Sequence, residues 1–329
     1  MKNLHITWAR AGLLVAAMVG AASVCAQAPP VKAQLQIKPA ERLAAAGSVK
    51  ILAAARAGKR IVAVGDHGVV LLSDDEGASY QQARAVPLSA TLTALSFADA
   101  SNGWAVGHWG AIMRTADGGQ TWRLQRSDVA TDQPLFSVHF KDAKEGWAVG
   151  LWSLMLHTSD GGEHWEKISL PAPPNAKKAD RNLYAIFGDS RAYLFVTSEQ
   201  GRVLRSHDNG ASWRYLETGY AGSLWTGVAL RDDVLLVGGL RGTIYRSADG
   251  GDSWHVAPTG LKNSVTSIAQ RSDDSVLAVG LDGMMLTSVD GGASFKGVRR
   301  EDRAALTVVI GAAAAGGRQL FSTRGPLAP

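Results

Sequence analysis

The sequence predicts an all-β fold: a seven-bladed β-propeller of four-stranded antiparallel blades. Three observations predict it. One segment recurs six times, and its aligned aspartates Asp75, Asp117, Asp160, Asp208, Asp249 and Asp290 stand 42, 43, 48, 41 and 41 residues apart. That period is the length of a propeller blade. Each copy alternates apolar and polar residues over short runs, as half-buried strands do. Glycine makes up 37 of 329 residues without a collagen period, which calls for many tight turns. With 46% apolar and 19% charged residues the chain can bury a core, which excludes a disordered protein.

The first 26 residues read as a targeting segment. Lys2 and Arg10 precede an apolar run, Ala11 to Ala22, that is too short to span a bilayer as a helix. Val24 and Ala26 supply small residues at the −3 and −1 positions of a signal-peptidase site, leaving Gln27 as the new N-terminus. A lipid anchor on Cys25 is the poorer alternative, because Val24 suits the position before a lipidated cysteine badly. Export to the periplasm or medium follows, with 27–329 as a single domain. Cys25 is the only cysteine, so the mature domain has no disulfide, thiolate metal site or cysteine nucleophile. No later segment is long and apolar enough for a transmembrane helix. The net charge of +5 comes without a basic run, which argues against nucleic-acid binding.

The blades follow. The clearest copies begin at Gly103 (GWAVGHWGAIMRTADGGQTWRL) and Gly146 (GWAVGLWSLMLHTSDGGEHWEKI), and weaker ones at Ile61, Tyr193, Leu235 and Val276. First strands such as Leu92–Phe97 and Leu135–Phe140 lead into second strands such as Trp104–Gly107. A glycine-containing turn then leads to a third strand and an Asp-Gly-Gly turn to a fourth. In the tail, Ala305–Ile310 and Arg318–Ser322 match the first two strands of a seventh blade. Gln34–Lys38 alternates polar and apolar residues and is expected to close the ring by joining that blade, which would remove exposed edges.

The recurring S/T-x-D-G-G-x-S/T-W element resembles the Asp-box, or bacterial neuraminidase repeat. Its aspartates are expected to bond backbone N–H groups of the turn. The aromatic residue of each copy (Tyr80, Trp122, Trp165, Trp213, Trp254, Phe295) is expected to pack on the neighbouring blade. Six near-identical copies argue for a structural role, since an active site needs one constellation. Paired G-W-A-V-G strands with Asp-box turns, over roughly Val49 to Phe321, resemble the photosystem II stability/assembly factor family. The resemblance implies a chaperone-like assembly factor rather than an enzyme. It also implies, in a non-photosynthetic bacterial member as this chain is expected to be, an envelope protein.

Propeller geometry places the turns between second and third strands on one face, with the connections between blades, and the Asp-boxes on the other. The first set differs from copy to copy: Asp66-His67, His108-Trp109, Leu151-Trp152, Glu199-Gln200, Leu240-Arg241 and Leu281-Asp282. This face is the candidate partner site, with Trp109 and Trp152 as candidate anchors. The connection Pro171 to Asn182 enters it with Lys177, Lys178 and Arg181, a docking loop for an acidic partner or an ordinary solvated insertion. Arg231 and Arg241 add charge.

A sialidase-like hydrolase is the enzymatic rival. Its F/Y-R-I-P segment is absent, and Val49-Lys50-Ile51 stands where blade one begins. Asp66, Glu199 and Asp282 lie in separated blades, unsuited to a carboxyl pair acting across one bond. His67 and His108 occupy neighbouring turns but make no paired metal spacing. No catalytic residue, metal or cofactor is expected. The sequence therefore predicts an exported, monomeric, non-catalytic propeller that holds a protein partner, such as an envelope complex or transporter. The alternative is an Asp-box glycan-binding or glycan-hydrolysing protein.

Overall fold

The computed structural model describes residues 37–311 and 317–327, which form seven antiparallel sheets. The targeting segment lies outside the described residues. Six sheets have four strands in chain order, and the seventh has three. The inner strands are Ile51–Ala57, Leu92–Phe97, Leu135–Phe140, Leu183–Gly188, Leu224–Ala229, Val265–Gln270 and Leu306–Gly311. Each touches its neighbours on both sides, and the last touches the first, so the sheets form the closed seven-bladed ring that the repeats predict. Among the described residues no helix is long and apolar enough to cross a membrane.

The core lies between blades. The second strands Gly103–Gly107, Gly146–Gly150, Leu194–Ser198, Leu235–Gly239 and Val276–Gly280 are buried along their whole length. Trp104 of blade two stacks on Phe140 of blade three at 3.5 Å between centroids, and its Nε1 donates to Gly161 O at 3.0 Å. This packing explains both glycines of G-W-A-V-G. A Cβ on Gly146 would lie 2.5 Å from the Phe140 ring, and one on Gly150 would lie 2.1 Å from the carbonyl oxygen of Pro134. The motif lets a bulky second strand lie close to its own inner strand.

Blades seven and one meet at the seam of the ring. Blade seven has a third strand, Gly325–Leu327, beyond the two that the tail of the sequence matches. Of the expected closing strand, Gln34, Leu35 and Gln36 lie outside the described residues, and Ile37 and Lys38 are not in a strand. Lys38 O instead accepts from Ser89 N at 2.8 Å, and Ala40 N donates to Val86 O at 3.0 Å, on the connection between blades one and two. Gln82 of blade one then holds Glu41 and Leu43, and residues 46–48 reach the last strand of blade seven. The segment is thus a strap over blade one. The seam itself is side-chain packing, with Phe321 and Val308 of blade seven against Ile51, Ile61 and Leu71 of blade one. Tyr80 meets Phe321 edge-on at 6.0 Å, and Arg56 Nε donates to Gly311 O at 3.1 Å.

Candidate partner-binding face

The turns between second and third strands share one backbone form. In each of the six Asp-box blades two successive residues have φ between 52° and 70°. The residue before them accepts a hydrogen bond from the residue after them, as Asp66 O does from Val69 N at 3.1 Å and His108 O from Ala111 N at 3.2 Å. These are type I′ turns, whose twist matches that of paired strands. The second position is glycine in five of them. In the sixth it is Ser153, whose N–H and hydroxyl both donate to Arg181 O, at 2.7 and 3.0 Å. The first position carries His67, Trp109, Trp152, Gln200, Arg241 and Asp282. The fold therefore sets these six predicted residues at equivalent points around one face.

Their environments differ. Trp152 is 62% exposed. Trp109 is half-buried and packs on the core cluster of blades one and two, so it is less an anchor than its twin. His67, His108, Gln200 and Arg241 are exposed. Asp282 is held by Arg303 at 2.8 Å and Asn263 at 3.3 Å, and Asp66 by Lys50 at 3.3 Å. Glu199 accepts from the Tyr184 hydroxyl at 3.4 Å. In the long connection Lys177 and Lys178 are exposed, whereas Arg181 is half-buried beside Asp180, with 3.8 Å between their charged atoms. Arg231 belongs elsewhere: it sits in the turn after the inner strand of blade five, on the Asp-box face, paired with Asp274.

On that opposite face the six Asp-boxes share one network. In blade four the Ser206 hydroxyl donates to Asp208 Oδ1 at 2.8 Å and accepts from Gly210 N at 2.8 Å. Asp208 accepts further from Ser212 N at 2.9 Å and from its hydroxyl at 2.5 Å. The same bonds recur at Asp75, Asp117, Asp249 and Asp290. Hydroxyl and backbone donors hold the carboxyls of Asp75, Asp208 and Asp290 at about 2. At Asp117 and Asp249 burial opposes this, and the donors still prevail. In blade three His164 replaces the hydroxyl, with its Nδ1 2.7 Å from Asp160 Oδ2; that bond raises the imidazole. The ring of Trp122, Trp213 and Phe295 is buried, that of Trp165 and Trp254 partly so, and each joins a cluster with the preceding blade. The carboxylates are consumed by their own hairpins, as the repeat predicts.

One set of residues escaped sequence reasoning. Each inner strand carries a β-bulge at its second residue, seen as a register shift between the first and third. In blades three, four and five the bulged residues are Phe136, Tyr184 and Trp225. Leucine followed by an aromatic in three successive inner strands was the available signal. Among the described residues no group of three or more His, Cys, Asp or Glu is placed to hold a metal ion.

Residues 82–226 match the family model described as photosynthesis system II assembly factor YCF48. No curated protein matches the sequence. Among solved structures, YCF48 bound to D1 peptide is 16% identical with a TM-score of 0.69, over 85% of this chain and 92% of that one. YCF48 from Cyanidioschyzon merolae is 14% identical with a TM-score of 0.66, over 88% and 97%. The Cps50 (Swd1) propeller domain of Myceliophteria thermophila is also 14% identical, with a TM-score of 0.67 over 84% and 93%, so likeness of this kind speaks for the fold alone. The family match and the resemblance carried by the repeats agree: over 82–226 the chain is similar in sequence, and as a seven-bladed ring similar in fold, to the photosystem II assembly factors of the YCF48 type.

Proposed function

We propose that this propeller is an exported, non-catalytic assembly or stability factor that binds a protein partner in an envelope or membrane complex, such as a transporter. The observation that carries the reading is the contrast between its two faces. One face repeats a closed hydrogen-bond network six times, whereas the other sets five kinds of side chain on six turns of one backbone form. A solved YCF48 carries a D1 peptide, which supports a protein as the partner. Export rests on the leader-like start of the sequence.

Capture of a defined partner from envelope extract of the producing cell tests this. Wild-type protein should retain the partner, and Trp152→Ala should lose more of it than Trp109→Ala, because only Trp152 stands clear of the core. Unchanged capture by the Trp109→Ala/Trp152→Ala double variant removes the face from the reading. Turnover of a glycoside abolished by Glu199→Gln or Asp282→Asn would make the protein an enzyme instead.

A further inference from the structure

The bulged residue of each inner strand has a structural task in some blades, which other blades abandon. In blade two the Thr93 hydroxyl lies 3.1 Å from Val106 O of its own blade and 2.6 Å from Leu135 O of blade three. In blade six Thr266 repeats this with Val279 O at 3.1 Å and Leu306 O at 2.9 Å. Threonine here stitches one blade to the next. Blades three, four and five have rings at this position, which cannot make that bond. Phe136 and Tyr184 instead stack on each other across the blades, with centroids 6.0 Å apart and planes 16° apart. Phe136, Tyr184 and Trp225 are half-buried, and none belongs to the hydrophobic clusters that fill the ring. The bulged residue is Leu52 in blade one and, in blade seven, Thr307, whose buried hydroxyl has no partner among the described residues. Only the three consecutive blades therefore set half-buried rings here, outside the core clusters, and that arc points to use by a ligand.

The surroundings say which ligand. The Trp152 turn is fixed directly beside this arc: Leu151 N donates to Pro134 O at 3.0 Å, and Trp152 N to Asn182 Oδ1 at 3.1 Å. Those partners lie just before the inner strands that carry Phe136 and Tyr184. Lys177, Lys178 and Arg241 flank the same three blades, exposed and without an ion pair among the described residues. Glu199 accepts a hydrogen bond from Tyr184 itself. In blades one and six the turn carboxylates Asp66 and Asp282 have cationic partners. Three exposed cations without an ion pair thus stand beside the aromatic arc.

We propose that Phe136, Tyr184 and Trp225, with Trp152 at their edge, anchor an apolar side chain of an extended acidic segment of a protein partner, and that Lys177, Lys178 and Arg241 read its carboxylates. The proposal rests on the protein-binding reading above and gives it a site and a partner chemistry. Aromatic anchors set among cations are the usual bearers of binding energy at such interfaces.

Fluorescence anisotropy tests it with three labelled ten-residue peptides. One alternates Asp/Glu with Leu/Phe, the second has Lys for every acid, and the third has Ala for every Leu and Phe. The first should bind; the other two should bind at least about tenfold more weakly. Trp225→Thr and Phe136→Thr restore the residue that blades two and six use, so they should melt no lower than wild type while weakening the first peptide about tenfold. Arg241→Glu should weaken it and flatten its salt dependence. Lys296→Ala, exposed on the outermost strand of blade six, should bind as wild type does. Three results overturn the proposal: no binding of the acidic peptide, equal binding of the Lys peptide, or full binding by the folded threonine variants. Saturable binding of chitohexaose lost in those variants overturns it too, because the arc would then read sugar. Partner capture from extract keeps the two readings apart. A threonine variant that retains the partner sinks this site alone, whereas wild-type protein that captures nothing sinks the wider reading.

Discussion

Ser206 shows at the scale of one residue how the Asp-box holds its hairpin. Its buried hydroxyl is both donor to Asp208 and acceptor from Gly210 N, so Ser206→Ala strands a buried N–H and frees a carboxylate oxygen. The expected cost is about 1–3 kcal/mol, read as a lower midpoint in urea. The charges add a pH dependence with two signs. Carboxyls held near 2 contribute stability that is complete above their usual value near 4 and is lost as pH falls towards 2. His164, raised by Asp160, contributes stability that is complete below its ordinary value of about 6.5 and is lost as pH rises through the raised one. Melting curves from pH 5 to pH 9, on the order of one unit per step, should fall on the alkaline side for wild type. They should be flatter there for His164→Ser, which restores the hydroxyl of the other boxes; an identical slope would dismiss the pair. These roles were legible because a turn network is local: the residues that bond are four apart in sequence. Trp109 and Arg231 were less so, since burial and facing are set by neighbouring blades.

The same contrast between local and distant causes governs the strands. Gly146 and Gly150 are both closed to a side chain, but by different neighbours. Gly146→Ala meets the Phe140 ring, and Gly150→Ala meets the backbone of Pro134, which cannot rotate away. Overpacking of this kind costs about 1–3 kcal/mol, and Phe140→Leu should recover part of the loss for Gly146→Ala but none for Gly150→Ala. Double-mutant stability measurements decide it, and equal recovery at both sites would refute the contact. Trp104→Ala, which empties a fully buried site, should cost about 3–5 kcal/mol, while Trp152→Ala should leave the melting midpoint unchanged. Alternation revealed the strands, but it hid the aromatic arc. A bulge inserts one residue and shifts the parity of everything before it, so Phe136, Tyr184 and Trp225 could not be assigned a face from a period of two.

For the molecule as a whole, the blade count was readable because repetition averages out local ambiguity over six copies. The path of the N-terminal segment was less so: of Gln34–Lys38 only Ile37 and Lys38 are among the described residues, and five alternating residues carry too little pattern to specify where they lead. The strap over blade one and the packed seam between blades seven and one depend on contacts hundreds of residues apart, such as Arg56 with Gly311. With fewer backbone bonds tying its ends, this seam should open first. Hydrogen exchange should be faster in Leu306–Gly311 and Ile51–Ala57 than in Leu183–Gly188, and Phe321→Ala should widen that gap. Uniform protection around the ring would show that the seam is as firm as the other junctions.

The type I′ turns carry one more consequence. Their shape is held by the glycine or Ser153 beside the tip and by main-chain bonds, so an exposed tip such as His67, Trp152, Gln200 or Arg241 contributes little to keeping the loop in place. Each of these exposed tips can therefore be exchanged, at little cost and independently of the others, for a side chain that tolerates positive φ, such as Asn, Asp or His. Such a surface behaves like a keypad on a rigid plate: its lettering can be rewritten, by selection or by design, without recasting the plate.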